Sequence, residues 1–392
     1  MLINFWDRTA LGLAALPIMK DLHLSHAQFG LLGSSFFALF ALSAYFVGWL
    51  TDRLATKWLI ASMALVWAVA QAVMAGAAGL PQALASRILL GAGEGAALPT
   101  SLYAAFSWFP NDRRSLVSAA VTVGVPLGVA SGALVITWAI AALGWHAAFA
   151  SLSAASLLWC VAWSTLHPQR TTDWRDRGGG SRQGARPWFE WNTPLLGAIL
   201  AAFAVQWVGA LASTWFPAAL QIALGLTSSA AGVAIGSAWA LQIPALLLAG
   251  WISSLRRRKQ SAELALAIPA ILSIALSGVA MIGMGASAAT GASLALMILC
   301  VVSLAVAIAC LPPLVGDVTP RGRLGIALGS YIAVSSLGGL VGPSVFGALV
   351  DASGVGPHAY RVALVASGII ITLTAPVAFM LTRMKRVACY VE

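Results

Sequence analysis

Apolar positions fall in long stretches of roughly 18–25 residues that recur along the whole chain. Each is long enough to cross a hydrocarbon core of about 30 Å as a helix. In order they predict about twelve spanning helices, over residues 2–19, 27–50, 58–78, 82–106, 116–140, 146–166, 193–217, 228–252, 262–284, 289–313, 325–349 and 360–382. A barrel is excluded, because a spanning strand needs only about ten residues. Backbone polar groups in lipid must then be satisfied inside each helix. The pattern predicts an all-α polytopic membrane protein.

Composition agrees, with 60% of residues apolar and 9% charged, against roughly a quarter charged in a soluble domain. The basic excess gives orientation. Arg53, Lys57, Arg113, Arg114, Arg170, Arg175, Arg177, Arg182 and Arg186 fall in the loops after the second, fourth and sixth spans. Arg256, Arg257, Arg258, Lys259, Arg321, Arg323, Arg383, Lys385 and Arg386 follow the eighth, tenth and twelfth, while the opposite loops hold only Lys20 and Arg361. This positive-inside asymmetry predicts a multi-pass protein of the inner (plasma) membrane with a cytoplasmic C-terminus. It makes the bilayer, rather than a nucleic acid, the partner of the basic charge.

Cys160, Cys300 and Cys310 lie in apolar spans and Cys389 in the basic tail, with no C-x-x-C pair, so no metal or redox site is expected. The histidines (His23, His26, His146, His167, His358) sit in or near loops and read as solvated. The N-terminus lacks the basic region and cleavage site of a secretory signal.

The longest hydrophilic stretch, HPQRTTDWRDRGGGSRQGARPWFEW, reads as a flexible cytoplasmic linker. It divides the chain into a six-helix bundle (1–166), the linker (167–192) and a second six-helix bundle with a short basic tail (193–392). The halves echo each other. GWLTDRLATK (48–57) returns in outline as GWISSLRRRK (250–259), and PNDRRSLVSA (110–119) as PRGRLGIALG (320–329), at offsets of about 200 and 210 residues. Two pseudo-symmetric six-helix halves are a transporter plan, with the substrate site at the midplane between them.

On these residues the chain resembles the major facilitator superfamily. GWLTDRLATK is similar to its loop signature G-x-x-x-D-R-x-G-R-R/K: Gly48, Asp52, Arg53 and Lys57 match, while Ala55 and Thr56 depart. The resemblance implies a cytoplasmic latch of Asp52 and Arg53 with Arg113, weakened by the two departures. The second copy has Ser254 in place of the acid.

Four ionisable residues lie deep inside spans: Asp7, Arg8, Arg87 and Glu94. Each costs roughly 2.5–3.5 kcal/mol at a helix centre, on the order of 10 kcal/mol together if unpaired. Arg87 and Glu94 are seven apart, on one helix face but about 10 Å apart along it, so each must meet another helix, a substrate or water. Asp7 and Arg8 are the natural complement, pointing roughly 100° apart. Gly91, Gly93 and Gly95 favour close approach of a neighbouring helix. A structural charge cluster is the alternative. A carboxyl caught between burial, which favours its neutral form, and an arginine, which favours its charged form, can exchange its proton when a substrate arrives.

D-R in the first helix, R-x6-E-G in the fourth and T-W-F-P (214–217) in the seventh together resemble the anion:cation symporter branch of that superfamily. LHLSHAQFGLLGSSFF (22–37) and WFPNDRR are similar to its connecting segments. The likeness implies import of a small organic anion, such as a sugar acid or aromatic carboxylate, by proton symport. It makes Asp7 and Glu94 the proton-handling residues and gives the substrate carboxylate to Arg87 with Arg8 near it; an arginine's planar fork suits a carboxylate. Tyr45, Gln206, Ser213, Thr214, Trp239, Ser335 and Ser336 are candidates for the remaining lining, with helix packing an equal reading for each. Where the resemblance implies asparagines in the eleventh helix of sugar-acid carriers, this chain has Ser335 and Ser336, a smaller hydrogen-bonding set that suits a polyhydroxylated substrate less well. No cofactor is implied beyond the coupling proton, and the expected unit is a monomer.

Asp7 lies only about 9 Å of helix from Met1, whereas the midplane is roughly 15 Å from either edge. An N-terminally shortened first helix is therefore expected, with relatives carrying further residues before the D-R pair. Two other functions stay open. A proton-coupled efflux antiporter is suggested by GVPLGVASG (124–132), and a non-transporting membrane sensor would bind without flux. An enzyme is not expected, since neither H-E-x-x-H nor G-x-S-x-G occurs.

Overall fold

A computed structural model of the chain describes residues 1–51, 55–106, 114–166, 193–257, 259–261, 263–319 and 324–383. These residues form twelve helical units: α1 (Leu2–Leu13 and Ala15–Asp21), α2 (His26–Thr51), α3 (Thr56–Ala75), α4 (Leu80–Glu94 and Ala97–Phe106), α5 (Arg114–Leu143) and α6 (Trp145–Leu166) make the first half. The second half holds α7 (Thr193–Thr214 and Phe216–Leu224), α8 (Ser228–Arg257), α9 (a π-helical turn Glu263–Ala267 leading into Ile268–Ala286), α10 (Thr290–Val318), α11 (Leu324–Ser335 and Leu337–Ala352) and α12 (Pro357–Arg383). Ten of these are long and apolar enough to cross a membrane. The other two, α1 and α4, are each broken in two and carry the four charges within spans, Asp7, Arg87 and Glu94 buried and Arg8 half-buried.

The breaks have a chemical cause. Pro17, Pro99 and Pro217 follow the interruptions at Ala14, Gly95–Ala96 and Trp215. A proline has no N–H to return to the carbonyl four residues back, and its ring crowds that carbonyl. The freed carbonyl groups are the kind of irregular backbone tolerated at membrane depth only when protein or a cavity covers it.

The packing repeats itself. In the first half α1 packs on α5, α2 on α4 and α3 on α6; in the second, α7 packs on α11, α8 on α10 and α9 on α12. Adding six to each helix number converts one set into the other. Between the halves, α2 meets α11 and α5 meets α8, a pair that the same operation exchanges, while α1 meets α7. Two six-helix pseudo-symmetric bundles are therefore present. The expected linker, 167–192, lies outside the described residues, as does the tail beyond residue 383.

Small residues set the close contacts. A Cβ added at Gly12 would run into the Ser213 carbonyl of α7, and one at Gly91 into the Phe36 carbonyl of α2. Large apolar side chains such as Trp138, Leu158, Trp251 and Met380 instead stand outward on the helix exteriors, as they do where lipid replaces water.

Candidate functional site

Between the halves lies a cavity of about 370 Å³. From the first half it is lined by Met1, Asn4, Phe5 and Arg8 of the α1 segment, Phe40 of α2, Glu94 and Gly95 of α4, and Thr122, Val125 and Pro126 of α5. The second half contributes α7 (Gln206, Gly209, Ser213), α8 (Trp239, Gln242, Leu246), α10 (Val301, Leu304, Ile308) and α11 (Tyr331, Ile332, Ser335), with other apolar neighbours. Among the described residues all the ionisable side-chain charge in this lining is on one wall: Arg8 and Glu94.

Arg8 is held by aromatic rings rather than by a carboxylate. Its guanidinium carbon is 5.0 Å from the ring centres of both Phe36 and Phe37, and 5.8 Å from those of Phe5 and Phe40. Residues 36, 37 and 40 share one side of α2 by helical spacing, and their rings also pack on one another at 5.0–5.9 Å. Arg87 lies behind this cage, 2% exposed, with its guanidinium carbon 5.3 Å from the Phe36 ring. Phe36 is thus shared by both cations. Such contacts are worth about 0.5–1 kcal/mol when exposed and about 2 when desolvated, which offsets part of the insertion cost of each arginine.

No direct ion pair offsets the remainder. Among the described residues none of these four charges forms an ion pair within 4.0 Å. Arg87 Nε and Nη1, Glu94 Oε1 and Asp7 Oδ1 have no hydrogen-bond partner. The direct complement expected between the two charged pairs is therefore not formed. Asp7 is fully buried and turned away from the cavity towards α6, where Ser156 Oγ donates to its Oδ2 at 3.3 Å. The glycines around Glu94 act as their spacing predicts: Gly91 lies against the Phe36 backbone, and a Cβ at Gly93 would come within 2.9 Å of the Trp67 ring of α3. This wedges α4 between α2 and α3 and fixes Glu94 at the cavity edge.

Of the other sequence-predicted residues, Gln206, Ser213, Trp239 and Ser335 line the cavity. Thr214 is buried beside Gly33 of α2, and Ser336 is buried with its hydroxyl donating to the Ala333 carbonyl at 2.7 Å, so neither is part of the lining. Arg87 and Asp7 are likewise behind the wall rather than in it. The side chain of Tyr45, and all of Asp52, Arg53 and Arg113, lie outside the described residues. Sequence reasoning missed the Phe36–Phe37–Phe40 cage and Asn4, Gln242 and Tyr331. The cage was visible as the run SSFFALF, beside which a cation needs no acid. The glycines of GVPLGVASG have a packing role: Gly124, Gly128 and Gly132 receive Met1, Phe5 and Trp6 of the α1 segment.

The halves meet on one side of this cavity, at the beginning of α2 and the end of α11. His26 does not read as solvated here. Its Nδ1 lies 2.8 Å from Asp351 Oδ1, and it stacks on Trp215 at 6.2 Å between ring centres. The Asp351 carboxylate also accepts from the backbone N–H groups of His26 (3.2 Å) and Ala27 (2.8 Å). Ser25 and Gln28 form a capping box, the Gln28 N–H donating to Ser25 Oγ at 3.2 Å and the Ser25 N–H to Gln28 Oε1 at 2.9 Å. The Phe29 N–H reaches the Ser25 carbonyl at 3.0 Å. Every orphan donor at the start of α2 is therefore satisfied, two of them by the opposite half. Trp215, Phe29, Phe346 and Tyr360 fill the space beneath, with ring centres 5.1–6.2 Å apart.

Comparison with known proteins places this geometry. The sequence model of a family described as Major Facilitator Superfamily matches residues 1–305. The hexuronate transporter of Bacillus subtilis (strain 168) is 27% identical over 372 residues, covering 92% of this chain and 88% of that protein. The D-galactonate transporter of Escherichia coli O6:H1 is 27% identical over 394 residues, covering 93% and 90%. Among solved structures, an inward-facing, unoccupied bacterial homologue of the human lysosomal transporter Spinster superposes with a TM-score of 0.79 at 17% identity, covering 97% of this chain and 94% of that one.

Proposed function

The chain belongs to the Major Facilitator Superfamily, transporters rather than enzymes, and on that premise we propose that it imports a small organic anion together with protons by alternating access. One observation carries the reading: two guanidinium groups stand at and behind the wall of a central cavity, and among the described residues no carboxylate lies within 4.0 Å of either. A cation at membrane depth whose counter-charge stands beyond ion-pair distance is costly, and an incoming carboxylate would relieve that cost with charge-assisted hydrogen bonds to Arg8. The named substrates of the relatives, a hexuronate and D-galactonate, are anions of this kind.

Glu94, at the cavity edge with one oxygen unpartnered, is placed to exchange a proton with the cavity as the anion arrives. Asp7 sits one layer deeper, against Ser156. In this reading it holds a second protonatable position that senses the occupancy of Arg8, its neighbour in the chain. The His26–Asp351 contact closes one end while the cavity serves the other; by the basic-loop asymmetry the closed end faces outward and the C-terminus is cytoplasmic. Anion and proton then bias two states of the rocking halves by their differential affinity, and the proton is the coupling ion.

The test is internal pH in proteoliposomes challenged with a panel of carboxylates. Symport predicts that a bound acid acidifies the lumen, that Arg8→Gln removes both binding and acidification, and that Glu94→Gln removes acidification while leaving binding. Alkalinisation on adding a compound would instead indicate antiport. Binding without proton or solute movement in the unmutated protein would leave a sensor.

A further inference from the structure

The two cavity walls differ in what they offer to the body of a ligand, and we infer that the substrate is a carboxylate with an apolar, aromatic body rather than a polyhydroxylated acid. This rests on the anion-transport reading of the same site and narrows it. Among the described residues the second-half wall has five polar side chains besides its indole, and three already donate to carbonyl groups of their own half. Ser213 Oγ donates to the Gly209 carbonyl at 3.0 Å, Ser335 Oγ to the Ile332 carbonyl at 3.1 Å, and Gln242 Nε2 to the Val301 carbonyl at 2.8 Å. Gln206 and Tyr331 alone of the five make no hydrogen bond among the described residues, and the two serine hydroxyls keep acceptor capacity only; the rest of that wall is aliphatic or aromatic, with Trp239 at the cavity.

A sugar acid carries a hydroxyl on nearly every carbon. Each one loses water on entering and needs a partner in return, because a buried, unpaired polar group is costly. A flat apolar ring has the opposite requirement. With its carboxylate on Arg8, it would lie between Phe40 on one wall and Trp239 on the other, in a lining that is mostly apolar with few convergent polar groups. Aromatic faces pack well in offset or edge arrangements. The relatives named for sugar acids are 27% identical to this chain, ample divergence for the lining of a shared fold to differ.

The experiment is a comparison of two probe classes on the purified full chain, read as ligand-induced thermal shift and as uptake into proteoliposomes. Phenylacetate and 4-methylbenzoate represent the apolar class, glucuronate and galactonate the polyol class. The aryl acids should bind at least about tenfold more tightly, and Arg8→Gln should abolish that binding. Trp239→Ala should erase most of the aryl preference and Trp239→Phe should retain it, a pair that separates loss of the aromatic face from loss of fold. Arg8-dependent binding of glucuronate or galactonate that equals or exceeds that of the aryl acids overturns the inference and leaves anion transport standing. Absence of Arg8-dependent binding by either class overturns both.

Discussion

Two seams join the halves, and pseudo-symmetry makes them equivalents: α2 against α11, and α5 against α8. Their chemistry is different. The α2–α11 seam is directional. Asp351 takes three donors from the start of α2, and Ser34 Oγ accepts from the Ser344 N–H at 3.1 Å and from its hydroxyl at 2.8 Å. The α5–α8 seam is made by small residues. A Cβ at Gly232 would stand 2.6 Å from Thr137 Oγ1, and one at Gly236 would stand 3.0 Å from the Ala130 carbonyl. No side-chain hydrogen bond crosses it among the described residues, and Thr137 Oγ1 has no partner. Hydrogen bonds fix a register and break over a short distance, whereas smooth close packing tolerates sliding. Equivalent contacts thus serve as a clasp on one side of the molecule and a bearing on the other.

The largest effect should come from wedging the clasp open. Gly347→Leu places a side chain against the His26 carbonyl, and overpacking of that kind costs roughly 1–3 kcal/mol. Spin labels in the loops after α1 and α11 should then report a population shift of about tenfold or more towards separated ends. Removing the clasp's charge comes next. Asp351→Ala strips two backbone donors of α2 of their partner, a loss comparable to a helix cap at about 1 kcal/mol, read by the same labels. Ser34→Ala removes one hydroxyl acceptor and should cost about 0.5–1.5 kcal/mol, seen as a smaller widening. Gly236→Ala on the bearing should be the mildest, within about 1 kcal/mol, because its new methyl, 3.0 Å from the Ala130 carbonyl, asks a sliding seam to give by only a few tenths of an ångström. If Gly236→Ala widens the ends more than Asp351→Ala, the assignment of clasp and bearing is reversed.

Much of the architecture was legible in the chain. Length and apolarity gave the spans, and proline positions explain three of the breaks that the apolar runs concealed. S-x-x-Q before α2 is a readable capping box, yet the third partner of that helix start, Asp351, is more than three hundred residues away and carries no local mark. His26 was misjudged for the same reason: a histidine in a loop looks solvated until a distant carboxylate is brought to it. At the cavity, the four charges were conspicuous because charge in an apolar span is expensive. Their partners were not, since the search for a counter-ion favours acids, and phenyl rings hold a cation without announcing it. Tertiary packing decided that Arg8 faces the cavity while Arg87 and Asp7 stand behind it, a choice that spacing along single helices leaves open.

The four-charge cluster also has an electrical consequence. With both acids ionised it is neutral, two guanidinium groups against two carboxylates. In the proposed symport each proton taken up would create room for one negative charge, so a monovalent anion travelling with a single proton would cross as a neutral load, indifferent to voltage. Protonation of both acids would leave the loaded carrier with one positive charge, and the membrane potential would then contribute about 2.3 kcal/mol per 100 mV to inward movement. A current, or its absence, in a voltage-clamped membrane would count the protons.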